Sequence, residues 1–229
     1  MQITSLNDRA WVRLIPQTYH LAPVLRGVVD TDEEFETLAE LEGLTNGRLT
    51  AERESSLALD RRELVFARRA RDLRVYGDTH INAAFTYTRP TGNRFNDGTR
   101  GAWYCAFDNE TAAEEVGYHK TRELRYINRF EDETIYVQLL ADFIGDFPDL
   151  TGEDHLALNP DPELGYPAGQ ALALTLRKDG HSGLIYPSAR RSGGRCFAVF
   201  EPRIIQNVRP GASWRLKWDG SPDYTLEMA

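Results

Sequence analysis

At 229 residues with 41% hydrophobic content, the chain suits one domain with a sizeable core, and disorder is excluded for most of it. Thirty-five acidic residues against 27 basic ones give a net charge of −8, which repels a phosphate backbone and disfavours general nucleic-acid binding. The opening Met1-Gln2-Ile3-Thr4-Ser5-Leu6-Asn7-Asp8-Arg9 has no apolar signal region and no run reaches the ~18 residues of a membrane span, so a cytoplasmic location is expected.

In chain order, Ala10 to Pro16 reads as a strand ending at a proline. A charged helical region follows. Thr31 and Glu34 fit a capping box for a helix carrying Phe35, Leu38, Ala39 and Leu41, with Gly43 and Asn46-Gly47 as stop signals. A second helix is predicted from about Thr50 to Leu73, with Leu57, Leu59, Leu64, Val65, Ala67 and Ala70 as apolar positions. Its arginines, Arg61, Arg62, Arg68, Arg69 and Arg71, read as a solvated face, with partner docking as the functional alternative. Phe85-Thr86-Tyr87-Thr88 alternates like a strand. Trp103 to Phe107 is a short aromatic strand, and a helix starts just after it with Asp108 or Asn109 as N-cap. Glu133 to Leu140 is rich in strand formers. Phe143 to Pro162 is punctuated by Gly, Pro, Asp and Asn and reads as loop. Pro167 to Lys178 reads as a helix with Ala168, Ala171, Leu172 and Leu176 on one side. The tail is strand-like at Gly183–Tyr186, Cys196–Phe200, Arg203–Val208, Trp214–Trp218 and Tyr224–Glu227. Strands gathered at the C-terminal end after mixed elements predict an α+β fold.

The stretch Thr91 to Arg125 gathers the chemistry-bearing residues. Arg94 sits in a loop with Gly92 and Gly98, where a guanidinium fork matches phosphate oxygens and glycine lets backbone approach a ligand. The same loop elsewhere is an ordinary surface turn. Arg100 is a weaker candidate of the same kind. Alternation puts Tyr104 on the face opposite Trp103 and Cys105, as core or as a stacking surface with a hydroxyl at the rim. Of the helix acids Glu110, Glu114 and Glu115, one or two serve to stabilise the helix start by charge. Glu115 shares a side with Ala112 and His119 at the edge of the buried stripe, so it is paired or functional. Ser188 follows Ile185-Tyr186-Pro187 and precedes a glycine-rich basic loop; without a Gly-x-Ser-x-Gly elbow it reads as a hydrogen-bonding residue. Cys105 and Cys196 lie in apolar runs and read as buried reduced thiols. The five histidines show no metal-ligand spacing, so no metal site is expected; His119 either pairs with Glu115 or is a satisfied structural residue.

Four segments in order resemble the RES family, the toxin half of bacterial RES–Xre toxin–antitoxin modules. They are Gly92-Asn93-Arg94-Phe95-Asn96-Asp97-Gly98, Trp103-Tyr104-Cys105-Ala106, Glu110-Thr111-Ala112-Ala113-Glu114-Glu115 and Tyr186-Pro187-Ser188-Ala189-Arg190. Trp11-Val12-Arg13-Leu14-Ile15-Pro16 looks like the start of that domain. The resemblance implies one RES-like domain over 1–229, with a helical insertion at about 31–75. It implies an ADP-ribosyltransferase-toxin-like fold, a split and curved β core with flanking helices. It further implies NAD as substrate, no tightly bound cofactor, and inorganic phosphate as co-substrate where cleavage of the nicotinamide–ribose bond is phosphorolytic. Arg94, Tyr104, Glu115 and Ser188 carry over as catalytic residues, and Arg13, Asn96 and Tyr186 as weaker substrate-binding ones. An Xre-type helix-turn-helix antitoxin, in a hetero-oligomer, is the implied partner. The alternatives are mono-ADP-ribosylation of a protein and a non-catalytic module that binds NAD or a partner.

Overall fold

The computed structural model describes residues 1–20, 31, 46–55, 59–65 and 76–229. Two long strands form its spine. Strand β1 (Gln2–Pro16) runs antiparallel to β3 (Glu131–Asp149), from Gln2 opposite Asp149 to Pro16 opposite Tyr136. Between them in sequence lies β2 (Trp103–Ala106), and after them come β4 (Gly183–Pro187), β5 (Arg195–Val199), β6 (Gln206–Asp219) and β7 (Tyr224–Met228). The described strands form one sheet in the order β1-β2-β5-β4-β3-β6-β7, and β1 also pairs with β3. The pairings β1-β2-β5-β4-β3-β1 therefore close on themselves. One edge of β3 is taken by β1. Its other edge is shared, by β6 from Glu131 to Asp142 and by β4 at its far end, where Asp149 meets Ile185 in parallel.

Before β3 passes from β6 to β4, two irregularities of the sheet meet at Asp142. The β1–β3 register slips between Asp8 and Trp11, and the β3–β6 register slips between Leu140 and Asp142. Ala10 and Asn207, at these irregularities, take positive φ values of 68° and 49°. The Asp142 carboxylate accepts from the Ala10 amide at 2.9 Å, from Asn207 Nδ2 at 2.8 Å and from Arg209 Nη1 at 2.8 Å, so one side chain ties down both bulged neighbours.

Side-chain alternation sorts the core into two layers. Leu184, Tyr186, Cys196, Ala198 and Ala106 face one layer; Ile185, Phe197, Val199, Trp103 and Cys105 face the other. Helices α3 (Asn109–Ile127) and α4 (Pro162–Lys178) cover the first layer through Ala112, Ala113 and Leu124 and through Ala173 and Leu176. The second layer is aromatic. Phe197 meets Phe143, Phe147 and Trp11 at ring separations of 4.9, 4.8 and 5.6 Å, and helix α2 (Asp78–Thr86) closes over it with Ile81, Ala84 and Phe85. Each such aromatic pair adds about 0.5–1.5 kcal/mol to its area burial.

Several local expectations change. Phe85-Thr86-Tyr87-Thr88 is not a strand: Phe85 and Thr86 end α2, whose buried Ile81, Ala84 and Phe85 recur at helical spacing, and Tyr87 is the extended residue that stops it. Phe143 to Asp149 is not loop but the far half of β3, where Gly145 (φ 143°) pairs with Leu6 and Pro148 with Ile3. Helix α4 starts at Pro162, because Asp161 accepts from the Glu163 amide and Pro162 takes the first turn. Within it Ala171 is exposed, and Ala173 takes the buried place. Pro202–Ile204 is a 3-10 turn, so β6 starts only at Gln206.

The helix expected over residues 31–41 lies, beyond Thr31, outside the described residues, as does the end of the one expected over 50–73. Asn46-Gly47, read as a stop, is a start: Asn46 Oδ1 accepts from the Leu49 amide at 3.1 Å and caps α1 (Gly47–Arg53). The chain then leaves the helix at Glu54. Asp60 and Glu63 form a capping box around a separate 3-10 turn, with Leu59 and Leu64 buried on either side and Arg61 and Arg62 exposed. A single helix through this stretch is therefore ruled out.

Candidate active site

Helix α3 is started by Asp108, whose carboxylate accepts from the Thr111 amide at 2.7 Å. Arg191 braces that carboxylate at 3.3 Å and donates to Thr111 Oγ1 at 3.1 Å. Thr111, Ala112 and Ala113 are buried, and these small side chains bring the first turns close to the sheet. Glu115, one turn beyond Thr111, is consequently half-buried, whereas Glu110 and Glu114 are exposed.

Ser188 stands where β4 ends. Its amide donates to the Gly194 carbonyl at 2.8 Å, closing the turn into β5. Its hydroxyl oxygen accepts from the amides of Arg190 and Arg191, both at 3.1 Å, and its one proton goes to Glu115 Oε1 at 2.6 Å. A hydroxyl with its lone pairs engaged in this way can donate in only one direction. Glu115 is held by that bond through Oε1, and no described residue donates to Oε2.

The arginine loop is built around Tyr104. The Tyr104 hydroxyl accepts from the Phe95 amide at 2.9 Å and donates to Asn96 Oδ1 at 2.8 Å. Asn96 Nδ2 in turn donates to Thr88 Oγ1 and to the carbonyls of Asp97 and Arg100 at 2.8–3.0 Å. Gly92 is needed because it takes φ +69° and an added Cβ would lie 2.1 Å from the Asn96 carbonyl oxygen. Asn96 is therefore spent within the loop and does not line the cavity described below. The Tyr104 hydroxyl is likewise turned back into the loop and not left at a rim, and burial pushes its acidity well below that of an ordinary phenol. Tyr104→Phe should keep the ring yet orphan the Phe95 amide. Urea denaturation should show a loss of about 1–3 kcal/mol; an unchanged stability would mean that the hydroxyl ties nothing.

Arg94, only 8% exposed, lies across α4. Its Nη1 donates to the carbonyls of Ala157 at 2.6 Å and Asn159 at 2.7 Å. Added Cβ atoms at Gly165 and Gly169 would come within 2.7 Å of Arg94 Nη1 and 2.2 Å of the Arg94 carbonyl oxygen, so the two glycines make the groove it occupies. Its guanidinium sits 5.4 Å from the centre of the Tyr166 ring.

These parts meet at a cavity of about 260 Å³. Of the residues singled out in the sequence, Arg13, Arg94, Tyr104, Glu115 and Tyr186 line it, and Ser188 stands one hydrogen bond behind Glu115. Tyr186 packs edge-on against Phe95 at 4.7 Å. Arg13 donates to the Tyr104 carbonyl at 3.0 Å and lies 4.8 Å above the Trp103 ring; burial lowers its pKa to about 10, which leaves it a cation at neutral pH. Arg100 is elsewhere: it pairs with Glu63 at 2.7 Å and donates to the Phe200 carbonyl at 2.8 Å, so its role is in the core. Cys105 and Cys196 are buried free thiols in the cavity wall.

The lining also includes polar side chains beyond the expected site residues, among them Tyr166, Arg190 and His119. Arg190 lies over the Tyr118 ring at 3.3 Å and donates to the Pro160 carbonyl at 3.1 Å, joining α3 to the start of α4. Its place beside Ser188 was the available signal. His119 forms no pair with Glu115, and its Nδ1 is buried without a partner, so it is not the satisfied histidine expected. Burial and the positive charge of Arg89, Arg122, Arg190 and Arg94 lower its pKa to about 3, so it is neutral at physiological pH. The charged lining is then Arg13, Arg94 and Arg190 around the one carboxylate of Glu115. Such a cavity attracts an anionic ligand while holding a negative charge at one point of its wall. Among the described residues, no group of three or more His, Cys, Asp or Glu side chains is placed to hold a metal ion.

The chain is 27% identical over 225 residues to the uncharacterized protein y4oC of Sinorhizobium fredii (strain NBRC 101917 / NGR234), covering 96% of this chain and 87% of that protein. The RES domain model matches residues 67–219, which include β2 to β6 and every lining residue except those of β1. With about two thirds of its length matched, this chain belongs to the RES domain family, whose members are often NAD-related toxins of toxin–antitoxin modules.

Proposed function

We propose that this protein consumes NAD by breaking the bond between nicotinamide and ribose, passing the ADP-ribosyl group to inorganic phosphate or water. The observation that carries the reading is the Ser188–Glu115 hydrogen bond, which fixes one carboxylate in the wall of an otherwise cationic cavity. Cleavage of this N-glycosidic bond builds positive charge on the ribose, as in glycoside hydrolysis. A carboxylate already oriented and partly desolvated opposes that charge without reorganising. Glu115 Oε2 is the oxygen left for the ribose. As the C1′–N bond breaks, its electron pair goes to the pyridinium nitrogen, so nicotinamide leaves neutral and needs no proton from the protein. An oxygen of phosphate then bonds to C1′, or an oxygen of water does so and releases its proton to solvent.

At about 260 Å³ the cavity is smaller than the ~300–1,000 Å³ of most ligand pockets, so it suits one end of a dinucleotide, with the remainder at its mouth. The rings of Tyr104 and Tyr186 would flank nicotinamide. Arg94, through the part of its fork not used by Ala157 and Asn159, would face the pyrophosphate or the incoming phosphate together with Arg190 and Arg13. Ser188 would act by orienting Glu115. The closed strand ring and the shared edge of β3 support a kinship with ADP-ribosyltransferase toxins. On this reading the protein is a cytoplasmic toxin restrained by an Xre-type helix-turn-helix antitoxin that covers the cavity.

The test is to incubate purified protein with NAD, with and without phosphate, and identify the products. Free nicotinamide with ADP-ribose-1″-phosphate or ADP-ribose supports the proposal. Radiolabel held on protein would move the acceptor to a polypeptide. Intact NAD in all reactions would overturn it.

A further inference from the structure

His119 stands one helical turn beyond Glu115 and lines the same cavity, yet it is bonded to nothing among the described residues. Its Nδ1 has no contact with solvent, which turns that edge of the ring into the protein. A buried N–H without an acceptor is rarer than a buried lone pair without a donor. The neutral ring therefore carries its proton on Nε2. Burial and the cationic neighbours Arg89, Arg122, Arg190 and Arg94 oppose a second proton, and Glu115, the acid of the cavity lining, makes no hydrogen bond to the ring. The result is an uncharged N–H donor in a wall where three arginines already supply positive charge.

Building on the NAD-cleaving reading, we propose that His119 is a further substrate-contacting residue, donating from Nε2 to an uncharged oxygen of the substrate, either a ribose hydroxyl or the carboxamide carbonyl. An arginine there would add charge without selecting between oxygens. A neutral imidazole adds direction, as sites that hydrogen-bond a particular group do. It is not a general acid, because the ring holds no proton that it can lose near neutral pH.

Three variants separate this role from a structural one. Glutamine places an amide nitrogen near the position of imidazole Nε2, asparagine places one near Nδ1, and leucine has neither. His119→Leu and His119→Asn should lower kcat/KM for NAD by roughly tenfold or more, the loss of one hydrogen bond to substrate, at unchanged thermal midpoint. His119→Gln should stay within about threefold of the parent. Nicotinic acid adenine dinucleotide, which replaces the carboxamide by a carboxylate, tells the two oxygens apart. If the ratio of kcat/KM for the two dinucleotides is the same in His119→Leu as in the parent, the contact is the hydroxyl; if the ratio changes, it is the substituent on the pyridine ring, since a carboxylate accepts the Nε2 hydrogen more strongly than a carboxamide does. Normal turnover by folded His119→Leu, or rescue by asparagine and not by glutamine, would overturn the proposal and leave NAD cleavage standing. If the parent protein binds NAD without cleaving it, the same comparison is made on its dissociation constant. If it does not bind NAD, both readings fall together.

Discussion

Glu115→Gln should yield a folded protein that no longer consumes NAD. Glutamine keeps the length of the side chain and an oxygen that can accept from Ser188, so the contact that now measures 2.6 Å survives. The Asp108 cap and the buried Thr111-Ala112-Ala113 surface are untouched, so α3 should stay in place. Only the negative charge is lost, and with it the stabilisation of a cationic ribose. Removing one preorganised electrostatic group from an active site costs about 10²–10³-fold in kcat, and a full charge opposite a developing cation belongs at or above the top of that range. The check is NAD loss at matched enzyme concentration together with a thermal midpoint. Unchanged NAD consumption by the folded variant would remove Glu115 from this role.

Arg94→Lys should damage both stability and turnover. The substitution preserves charge but not the fork. Arg94 Nη1 alone joins the Ala157 and Asn159 carbonyls, leaving the rest of the guanidinium for the cavity. A lysine ammonium is a point donor and cannot hold two carbonyls in the glycine groove of α4 while also presenting a planar edge to phosphate. A net loss of about 2–3 kcal/mol in denaturant unfolding is expected from the broken charged hydrogen bonds. kcat/KM for NAD should fall by about 10²-fold, as when a positioning contact shifts by an ångström. Stability and turnover both at the parent's level would show that the fork is used for neither purpose. The parts differ in how they should fail: Glu115→Gln loses catalysis with the scaffold intact, whereas Arg94→Lys loses some of the scaffold as well.

Much of this site was readable from local rules. Alternation alone placed Tyr104 opposite Trp103 and Cys105, and the two core layers separate them in that way. The cap at Asp108 and helical spacing put Glu115 beside Ala112 at the edge of the buried surface. Ser188 was recognised as a hydrogen-bonding residue, but its partner is 73 positions away and no short-range rule could name it. Asn96 and Arg100 show the same limit from the other side. Each has the chemistry to bind a ligand, yet each is consumed by contacts set by tertiary structure, Asn96 by Tyr104 and the loop carbonyls, Arg100 by Glu63 and Phe200.

The misread elements have physical causes too. Four alternating residues at Phe85 could not reveal a helix whose apolar face begins at Ile81. The far half of β3 contains Gly145 and Pro148, which ordinarily break strands; they are accommodated because β1 pairs along that whole segment, a contact more than a hundred residues distant in sequence. A second long-range pairing, of β1 with β2 at Val12 and Ala106, sets Arg13, outside the matched family segment, against the Tyr104 carbonyl at the cavity.

The most direct test is a crystal structure of Glu115→Gln soaked or grown with NAD. The nicotinamide ribose should lie within hydrogen-bonding distance of residue 115, the pyridine ring against Tyr104 or Tyr186, and the pyrophosphate against Arg94 or Arg190. A dinucleotide bound on another surface, with this cavity left empty, would contradict the account.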